Sequence, residues 1–362
     1  MRVAFDLSST RGRKTGIGIY TENLVGALRA FAHGVDILEL GDGASADQRT
    51  DARILREQFV LPRLARRSGA DLLHLTGFAG PFRAPCPVIL NAHDLIGALF
   101  PENFPPASRL YWGRYLPFSL RFATRLIVLS EQTRRDVIRI AGVPAERIAV
   151  IAPGRDERFR PIADRARLEE TRRRLGLPAE FILFVSTLEP RKGIDTLIGA
   201  FSQIASQTGH DLVLAGRKGW YAEQFAAQVR RLGLEKRVHF AEYVAAEDLP
   251  RIYNMASVFV LPSRYEGFGL PVLEALSCGT PVICSNASSL PEVVGTAGIL
   301  VPPGDISGFA EAILGVLNDA EQSAGLRTRG LSRASEFSWS RAAEQTAELY
   351  RSVQEQRDAH HR

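Results

Sequence analysis

Short apolar runs recur along this chain with room for one helix between most neighbours, and the series is laid down twice. The first set occupies residues 3–7, 35–40, 70–75, 87–91, 125–129 and 148–151. A polar, aperiodic stretch, DERFRPIA, follows at 156–163. The second set then begins: FILFVST from Phe181, DLVLAG from Asp211, RVHFAEYV from Arg237, SVFVLPS from Ser257, TPVICSN from Thr280 and AGILVPP from Ala297. Strands alternating with helices predict mostly parallel sheets covered on both faces. Two such sets predict an α/β protein of two Rossmann-like, doubly wound domains facing each other across a cleft, with residues 1–160 in the first and 161–337 in the second. At 362 residues and 45% hydrophobic content the chain can fill two cores.

The densest chemistry lies at RYEGFGLPVLEALSCGTPVICSN, from Arg264 to Asn286. After the strand at 257–263 the glycines of Glu266-Gly267-Phe268-Gly269-Leu270-Pro271 let backbone amides approach a ligand, and Pro271 suits a first helical turn. Such a helix start aims unpaired amides and positive dipole at its guest, which makes phosphate the natural one. Glu266 and Glu274 frame the loop. Carboxylates repel phosphate but accept from hydroxyls, so an anion site flanked by two acids suggests a nucleotide sugar. The plain alternative is a solvated Glu266 and a Glu274 that merely favours the helix N-terminus.

Other strand ends carry further candidates. Arg191 and Lys192, in STLEPRKG after the strand at 181, are adjacent cations with little structural reason to be there unless an anion joins them. Asn91-Ala92-His93-Asp94 ends an apolar strand, where open α/β sheets place ligands; a histidine capping the strand end is the ordinary reading. The loop SSTRGRKTGIGIY carries Gly16 and Gly18 but has Thr21 where a dinucleotide fingerprint needs its third glycine, so it fails as that motif. A plain strand-to-helix turn is the other reading of those glycines. Gly216 in LAGRKGW lets a nucleotide approach the backbone, and Arg217 can add a phosphate or base contact.

Glu266 and Glu274 within EGFGLPVLEAL, followed by GTPVI, resemble the signature of the family 4 retaining glycosyltransferases of GT-B fold, and the similarity extends over nearly the whole chain. The resemblance implies that His93 hydrogen-bonds the donor sugar, that Gly16 and Gly18 form the loop beneath the sugar's phosphate and the acceptor, and that Arg191 and Lys192 bind the diphosphate. Many members place that arginine several residues earlier, where this chain has Ser186, and Arg191 is its substitute. The amides of Gly267, Phe268, Gly269 and Leu270 would join the cations on the leaving diphosphate. Glu266 would accept from a sugar hydroxyl and Glu274 from the ribose, while FAEYV, with Tyr243 and Val244, falls where the family holds the base. Ser130-Glu131 matches the family's strand-end pair, with Ser130 as a helix cap. The terminal segment from Phe337, with its helix at 338–362, resembles the last family helix, which crosses back to brace the first domain.

The implied function is a retaining hexosyltransferase that builds a bacterial surface polysaccharide or lipid-linked glycan. It would proceed by front-face displacement, since no carboxylate is placed as a covalent nucleophile. EPRKG with GRKGW looks most like the mannosyltransferase-type members, so GDP-mannose is the first choice of donor, with UDP-glucose and dTDP-rhamnose open. No Asp-x-Asp triplet offers a metal site, and no cofactor is expected beyond the nucleotide-sugar substrate. The alternatives are a GT-B nucleotide-sugar epimerase or sugar phosphorylase, and a non-catalytic nucleotide-sugar-binding partner of a glycan assembly complex.

Charge and cysteine usage bound the setting. Residues 1–160 hold 23 Lys and Arg against 16 Asp and Glu, whereas the remainder holds 22 against 24. A basic first half permits contact with an anionic membrane or a phosphorylated acceptor; an arginine-rich proteome would give the same bias. The segment RILREQFVLPRLARR at 53–67 is amphipathic and cationic, suited to packing on a sheet or to lying on a bilayer. Cys86, Cys278 and Cys284 form no metal or disulfide pattern, which fits a reducing cytoplasm. No leader segment and no run near the roughly 20 apolar residues of a membrane span is expected. The expected location is cytoplasmic, at the inner face of the cell membrane where the acceptor is lipid-linked, and no nucleic-acid partner is expected.

Overall fold

The structure is a computed structural model that describes residues 1–11, 16–41, 43–44, 49–77, 79–217, 221–241 and 244–360. Each expected apolar run forms a strand. The first sheet holds β1 (Arg2–Asp6), β2 (Asp36–Leu40), β3 (Leu72–Leu75), β4 (Val88–Ala92), β5 (Arg125–Val128) and β6 (Ile148–Val150). The second holds β7 (Phe181–Val185), β8 (Asp211–Ala215), β9 (Val238–Ala241), β10 (Val258–Leu261), β11 (Val282–Ser285) and β12 (Ile299–Val301). Several strands stop short of their runs at prolines, which cannot donate to a ladder. Thus β10 ends before Pro262 and β4 starts after Pro87, whose carbonyl still accepts from the amide of Leu73.

All pairings are parallel. The strand orders are β2-β1-β3-β4-β5-β6 and β12-β11-β10-β7-β8-β9. Each sheet therefore grows one way from its first strand and then returns to that strand's other side. Parallel strands buried on both faces read as continuous apolar runs, and β3, β4 and β10 are buried along their whole length. In open α/β sheets ligands bind outside the carboxyl ends of the strands where the order reverses. Those points lie after β1 and β3 in the first sheet and after β7 and β10 in the second.

The chain packs as two units, Met1–Gly154 with Phe337–Arg362, and Arg155–Glu336. The sequence placed the break after residue 160. The stretch DERFRPIA instead belongs to the second unit, where Asn254 accepts from the amide of Ile162 and donates to the carbonyl of Arg160. The closing helix Trp339–His360 packs on the first unit. Its Tyr350 hydroxyl lies 2.5 Å from His74 Nδ1, and its Gln356 accepts from Arg125 at 2.9 Å. Gly154 passes so close to this helix that a Cβ would lie 2.2 Å from the backbone nitrogen of Trp339.

Two glycines hold the loops of the second sheet against each other. Gly193 has φ +70°, and a Cβ there would lie 2.1 Å from the carbonyl oxygen of Pro262, in the loop after β10. Gly216 has φ +144°, with Ser186 O at 1.9 Å from the same imagined atom. Both positions exclude a side chain on backbone conformation and on space. Gly193→Ala is expected to destabilise the protein by roughly 2–4 kcal/mol, since left-handed strain and a backbone clash add. Chemical unfolding measures this, and an unchanged midpoint would show that the two loops are not held at this point.

Candidate functional site

The reversal in the second sheet brings together residues more than seventy positions apart. Arg191 and Lys192 sit in a short turn, Pro190–Lys192, closed by Gly193 after β7; Glu266 lies in the loop after β10. Lys192 Nζ donates to both oxygens of Glu266, at 2.6 and 2.9 Å. Arg191 Nη1 stands 3.6 Å from the same carboxylate and donates to the carbonyl of Tyr265 at 2.8 Å, while Nη2 meets Glu189 at 3.2 Å. Ser263 adds a hydroxyl to Glu266 at 2.7 Å. Only about a tenth of each of the Arg191, Lys192 and Glu266 side chains is exposed.

Burial of this kind is costly unless the charges are paired. Burial alone would raise the Glu266 carboxyl, but the Lys192 and Arg191 charges outweigh it and hold it below its ordinary value. Burial, reinforced by Arg191, pulls Lys192 down against the opposing charge of Glu266. The result is a tight cationic pair restrained by an ionised acid, with the Arg191 Nε buried and without a partner among the described residues.

The Glu266 backbone is fixed as firmly as its side chain. Its amide donates to Ser288 Oγ at 3.2 Å, its carbonyl accepts from Ser288, and Ser289 Oγ lies 2.9 Å from that carbonyl and 2.8 Å from the carbonyl of Phe268. Ser288 has φ +56°, which a non-glycine residue adopts only when its surroundings hold it there. The helix Leu270–Ser277 then starts at Gly269, φ +105°, a cap with no side chain to satisfy the first-turn amides. These amides and the two cations flank the same loop. Phe268 is buried, so it packs the loop rather than offering a surface.

Glu274 stands one turn into this helix. Its Oε2 accepts from the Tyr253 hydroxyl at 2.8 Å, and among the described residues no hydrogen bond reaches its other oxygen. Burial pushes the carboxyl up to about 7, with Asp156 adding to the push, so it titrates near neutrality. Gly216 and Arg217 close β8, and the Arg217 carbonyl accepts from the amide of Leu188 at 3.0 Å, which ties this corner to the loop that carries Arg191. Val244 follows β9 and is half-buried; Tyr243 lies outside the described residues, as do Lys218, Gly219 and Trp220.

In the first unit the candidates gather around the strand-order reversal, at the carboxyl ends of β1, β3 and the neighbouring β4. His93 follows β4, and its Nε2 donates to the carbonyl of Thr76, after β3, at 2.5 Å. Burial lowers its pKa, so the neutral ring presents Nδ1 as an acceptor. Tyr20 meets the His93 ring edge-on at 4.9 Å between centroids. Its hydroxyl accepts from Asn91 at 2.9 Å, Asn91 accepts from His74 Nε2 at 2.7 Å, and His74 reaches Tyr350 on the closing helix.

Gly18 has a packing reason of its own, because a Cβ there would lie 2.4 Å from Ser9 O; around Gly16 the space is open. Thr21, where a dinucleotide motif would have glycine, is fully buried and joins Ser9 to Thr76 through its hydroxyl at 3.0 and 2.7 Å. Ser130 caps the helix Glu131–Asp136 by accepting from the amide of Thr133.

Sequence reasoning passed over Ser263, Ser288, Ser289, Tyr253, Thr76 and the Tyr20–Asn91–His74 chain. Nothing local in SNASSLPE says that its hydroxyls reach back some twenty residues. Among the described residues no group of three or more His, Cys, Asp or Glu side chains could hold a metal ion, and no helix is long and apolar enough to cross a membrane.

Two family models cover most of the chain: Glycosyltransferase Family 4 over residues 14–159 and Glycosyl transferases group 1 over 169–333. The O-antigen chain mannosyltransferase B of Escherichia coli is 32% identical over 381 residues, covering 97% of this chain and 100% of the relative. The D-inositol 3-phosphate glycosyltransferase of Kineococcus radiotolerans is 33% identical over 323 residues, covering 80% and 73%. HepE of Anabaena, solved in complex with UDP and glucose, shares the fold with a TM-score of 0.76 at 24% identity, covering 97% of this chain and 100% of that one. With its two parallel six-stranded sheets and these matches over both halves, the chain belongs to the family 4, group 1 glycosyltransferases, of GT-B fold.

Proposed function

We propose that this glycosyltransferase is a retaining, metal-independent hexosyltransferase that moves mannose from GDP-mannose to a lipid-linked or polysaccharide acceptor in bacterial surface glycan synthesis. The observation that carries the reading is the buried Arg191–Lys192–Glu266 cluster at the strand-order reversal, beside the start of the helix Leu270–Ser277, which has no side-chain cap. Mannose is favoured because the relative matched over its full length is named an O-antigen chain mannosyltransferase. Uridine donors form the second arm of any test, since HepE is seen with UDP and glucose.

In this reading the second unit binds the donor and the first binds the acceptor. Lys192 and Arg191, with amides of residues 267–270, stabilise the departing diphosphate and supply the positive charge that a metal would otherwise bring. Glu266 holds Lys192 in place and accepts from a sugar hydroxyl. Glu274 accepts from the ribose, with Tyr253 fixing one of its oxygens. His93, oriented by Thr76, accepts through Nδ1 from a second sugar hydroxyl. The bond from the anomeric carbon to the diphosphate breaks as the acceptor oxygen approaches on the same face, and the leaving phosphate takes the acceptor's proton. By the family resemblance Gly216, Arg217, Tyr243 and Val244 would bind the nucleotide, and Gly16 and Gly18 would lie beneath the sugar's phosphate and the acceptor. No further cofactor enters the scheme, and the reaction runs at the cytoplasmic face of the membrane where the acceptor is lipid-linked.

A panel of nucleotide sugars read by thermal shift and slow hydrolysis identifies the donor; stabilisation by GDP-mannose above the uridine and thymidine donors is expected. Lys192→Ala and Glu274→Ala should each lower kcat/KM for the donor by roughly 2–4 kcal/mol of transition-state stabilisation. Near-unchanged kinetics in both would contradict the assignment.

The Glu274 titration gives an independent handle. A nucleotide sugar's diphosphate is a diester with no ionisation near neutrality, so a pH dependence reports the protein. Affinity should rise several-fold from about pH 6 to about pH 8 as Glu274 ionises and offers full acceptors to the ribose. The slope should vanish in Glu274→Gln. An equal slope in that variant would remove Glu274 from the site.

A further inference from the structure

The polar stretch at 156–163, which reads as a linker, is held as a strap against the elements that carry Glu274 and its partner Tyr253. Its first residues form a turn: the Asp156 carbonyl accepts from the amide of Phe159 at 3.0 Å, and the Asp156 carboxylate from the amide of Arg158 at 2.9 Å. Phe159 is buried and meets the ring of Tyr253 edge-on at 5.7 Å between centroids, while Phe259 of β10 meets the same ring at 5.4 Å. Asn254, the next residue on the helix Leu249–Met255, bonds the backbone of Arg160 and Ile162. Thr280 Oγ1 donates to the Tyr253 carbonyl at 2.7 Å. With its ring, its carbonyl and its neighbour all fixed, Tyr253 delivers its hydroxyl to Glu274 Oε2 at 2.8 Å.

A turn needs only the Arg158 amide on Asp156. Here the guanidinium also takes both carboxylate oxygens, Nε at 3.1 and 2.9 Å and Nη2 at 2.6 Å, so the strap presents a fixed charge pair. The Asp156 side chain is 19% exposed and that of Arg158 54%. A like charge opposes the ionisation of a neighbouring acid and an unlike one favours it. At Glu274 these are Asp156 and Arg158 respectively, and the Tyr253 hydrogen bond also favours the charged form. Cys278, one turn further along the same helix, is kept neutral by burial. Among the described residues no charged group of helices 290–294 and 320–335, or of β10 and β11, enters this balance.

We propose that Asp156, Arg158 and Phe159 are positioning residues of the donor site: Phe159 aims the Tyr253 hydroxyl, and the Asp156–Arg158 pair sets the field at the carboxylate that receives the ribose. The inference rests on the reading of Glu274 as the ribose acceptor. Neither strap charge touches the nucleotide; each acts through Glu274.

The titration midpoint of Glu274 tests the strap by itself, read by carbon NMR on the ligand-free full chain with isotope-labelled glutamate and assigned by the signal lost in Glu274→Gln. Asp156→Asn should lower the midpoint by roughly half a pH unit or more, and Arg158→Gln should raise it by a similar amount. Glu157→Gln, at an exposed acid in the same turn, should leave it unchanged. Phe159→Leu should raise it, as Tyr253→Phe does, because both weaken the hydrogen bond that favours the charged form. Calorimetric titration with GDP-mannose, and with UDP-glucose in parallel, should show the pH dependence of affinity moving with the midpoint. Near pH 7 Asp156→Asn should then bind roughly threefold more tightly than Arg158→Gln. A midpoint unmoved in both charge variants, or moved the same way in both, would overturn the inference and leave the ribose assignment of Glu274 standing. A midpoint that moves as expected while the pH dependence of affinity stays put would overturn both. A lowered midpoint in Phe159→Leu, or an unchanged one, would remove Phe159 from the set. Should Asp156→Asn fail to fold, Arg158→Gln, at a half-exposed side chain, decides alone.

Discussion

A lysine buried against a glutamate, Lys192 against Glu266, is the interaction on which the second unit's site depends. Neither charge could be withdrawn from water alone, and removal of one would strand the other at a cost of roughly 3–5 kcal/mol. The two residues meet because the sheet order reverses between β7 and β10, which places the loops after those strands side by side. Contact between the loops in turn requires Gly193, since any side chain there would strike the carbonyl of Pro262. One glycine, one strand order and one ion pair thus form a single constraint. The arrangement leaves two cations, already dehydrated and oriented, next to the start of a helix, and such preorganised charge needs little rearrangement when an anion arrives.

The first unit shows the same economy with neutral groups. His93 is aimed by one backbone carbonyl, that of Thr76, and packed by Tyr20, whose hydroxyl ends a chain of hydrogen bonds through Asn91 and His74 to Tyr350. Burial keeps His74 neutral by lowering its pKa to about 4, which lets one ring nitrogen accept while the other donates. A charged ring could not accept from Tyr350 and donate to Asn91 at once. The closing helix therefore does more than cover the sheet: its tyrosine helps set the donor and acceptor directions that reach the edge of His93.

Legibility followed the range of the interactions. The twelve strands were readable because parallel strands buried on both faces leave continuous apolar runs, and prolines such as Pro262 mark where ladders must stop. Glu266, Glu274, Arg191 and Lys192 stood out because charge beside glycine at a strand end has few structural uses. Their pairing did not, since residues 192 and 266 meet only through strand order, which no local pattern encodes. Ser288 and Ser289 carried no signal for the same reason, and the positive φ of Ser288 is a property of the folded backbone alone. Thr21 was read as a missing glycine, whereas its hydroxyl supplies the contact that a glycine would forfeit. The stretch at 156–163 looked like a free linker because polarity and lack of period are all that sequence offers there; Asn254, ninety residues away, fastens it to the second unit.

A crystal structure with an intact nucleotide sugar tests the central claim most directly. The account predicts the diphosphate within hydrogen-bonding distance of Lys192 Nζ and of amides at the start of the helix Leu270–Ser277, with the ribose hydroxyls on Glu274. A nucleotide sugar bound elsewhere, with the Lys192–Glu266 pair unchanged and no oxygen of the ligand near it, would contradict it.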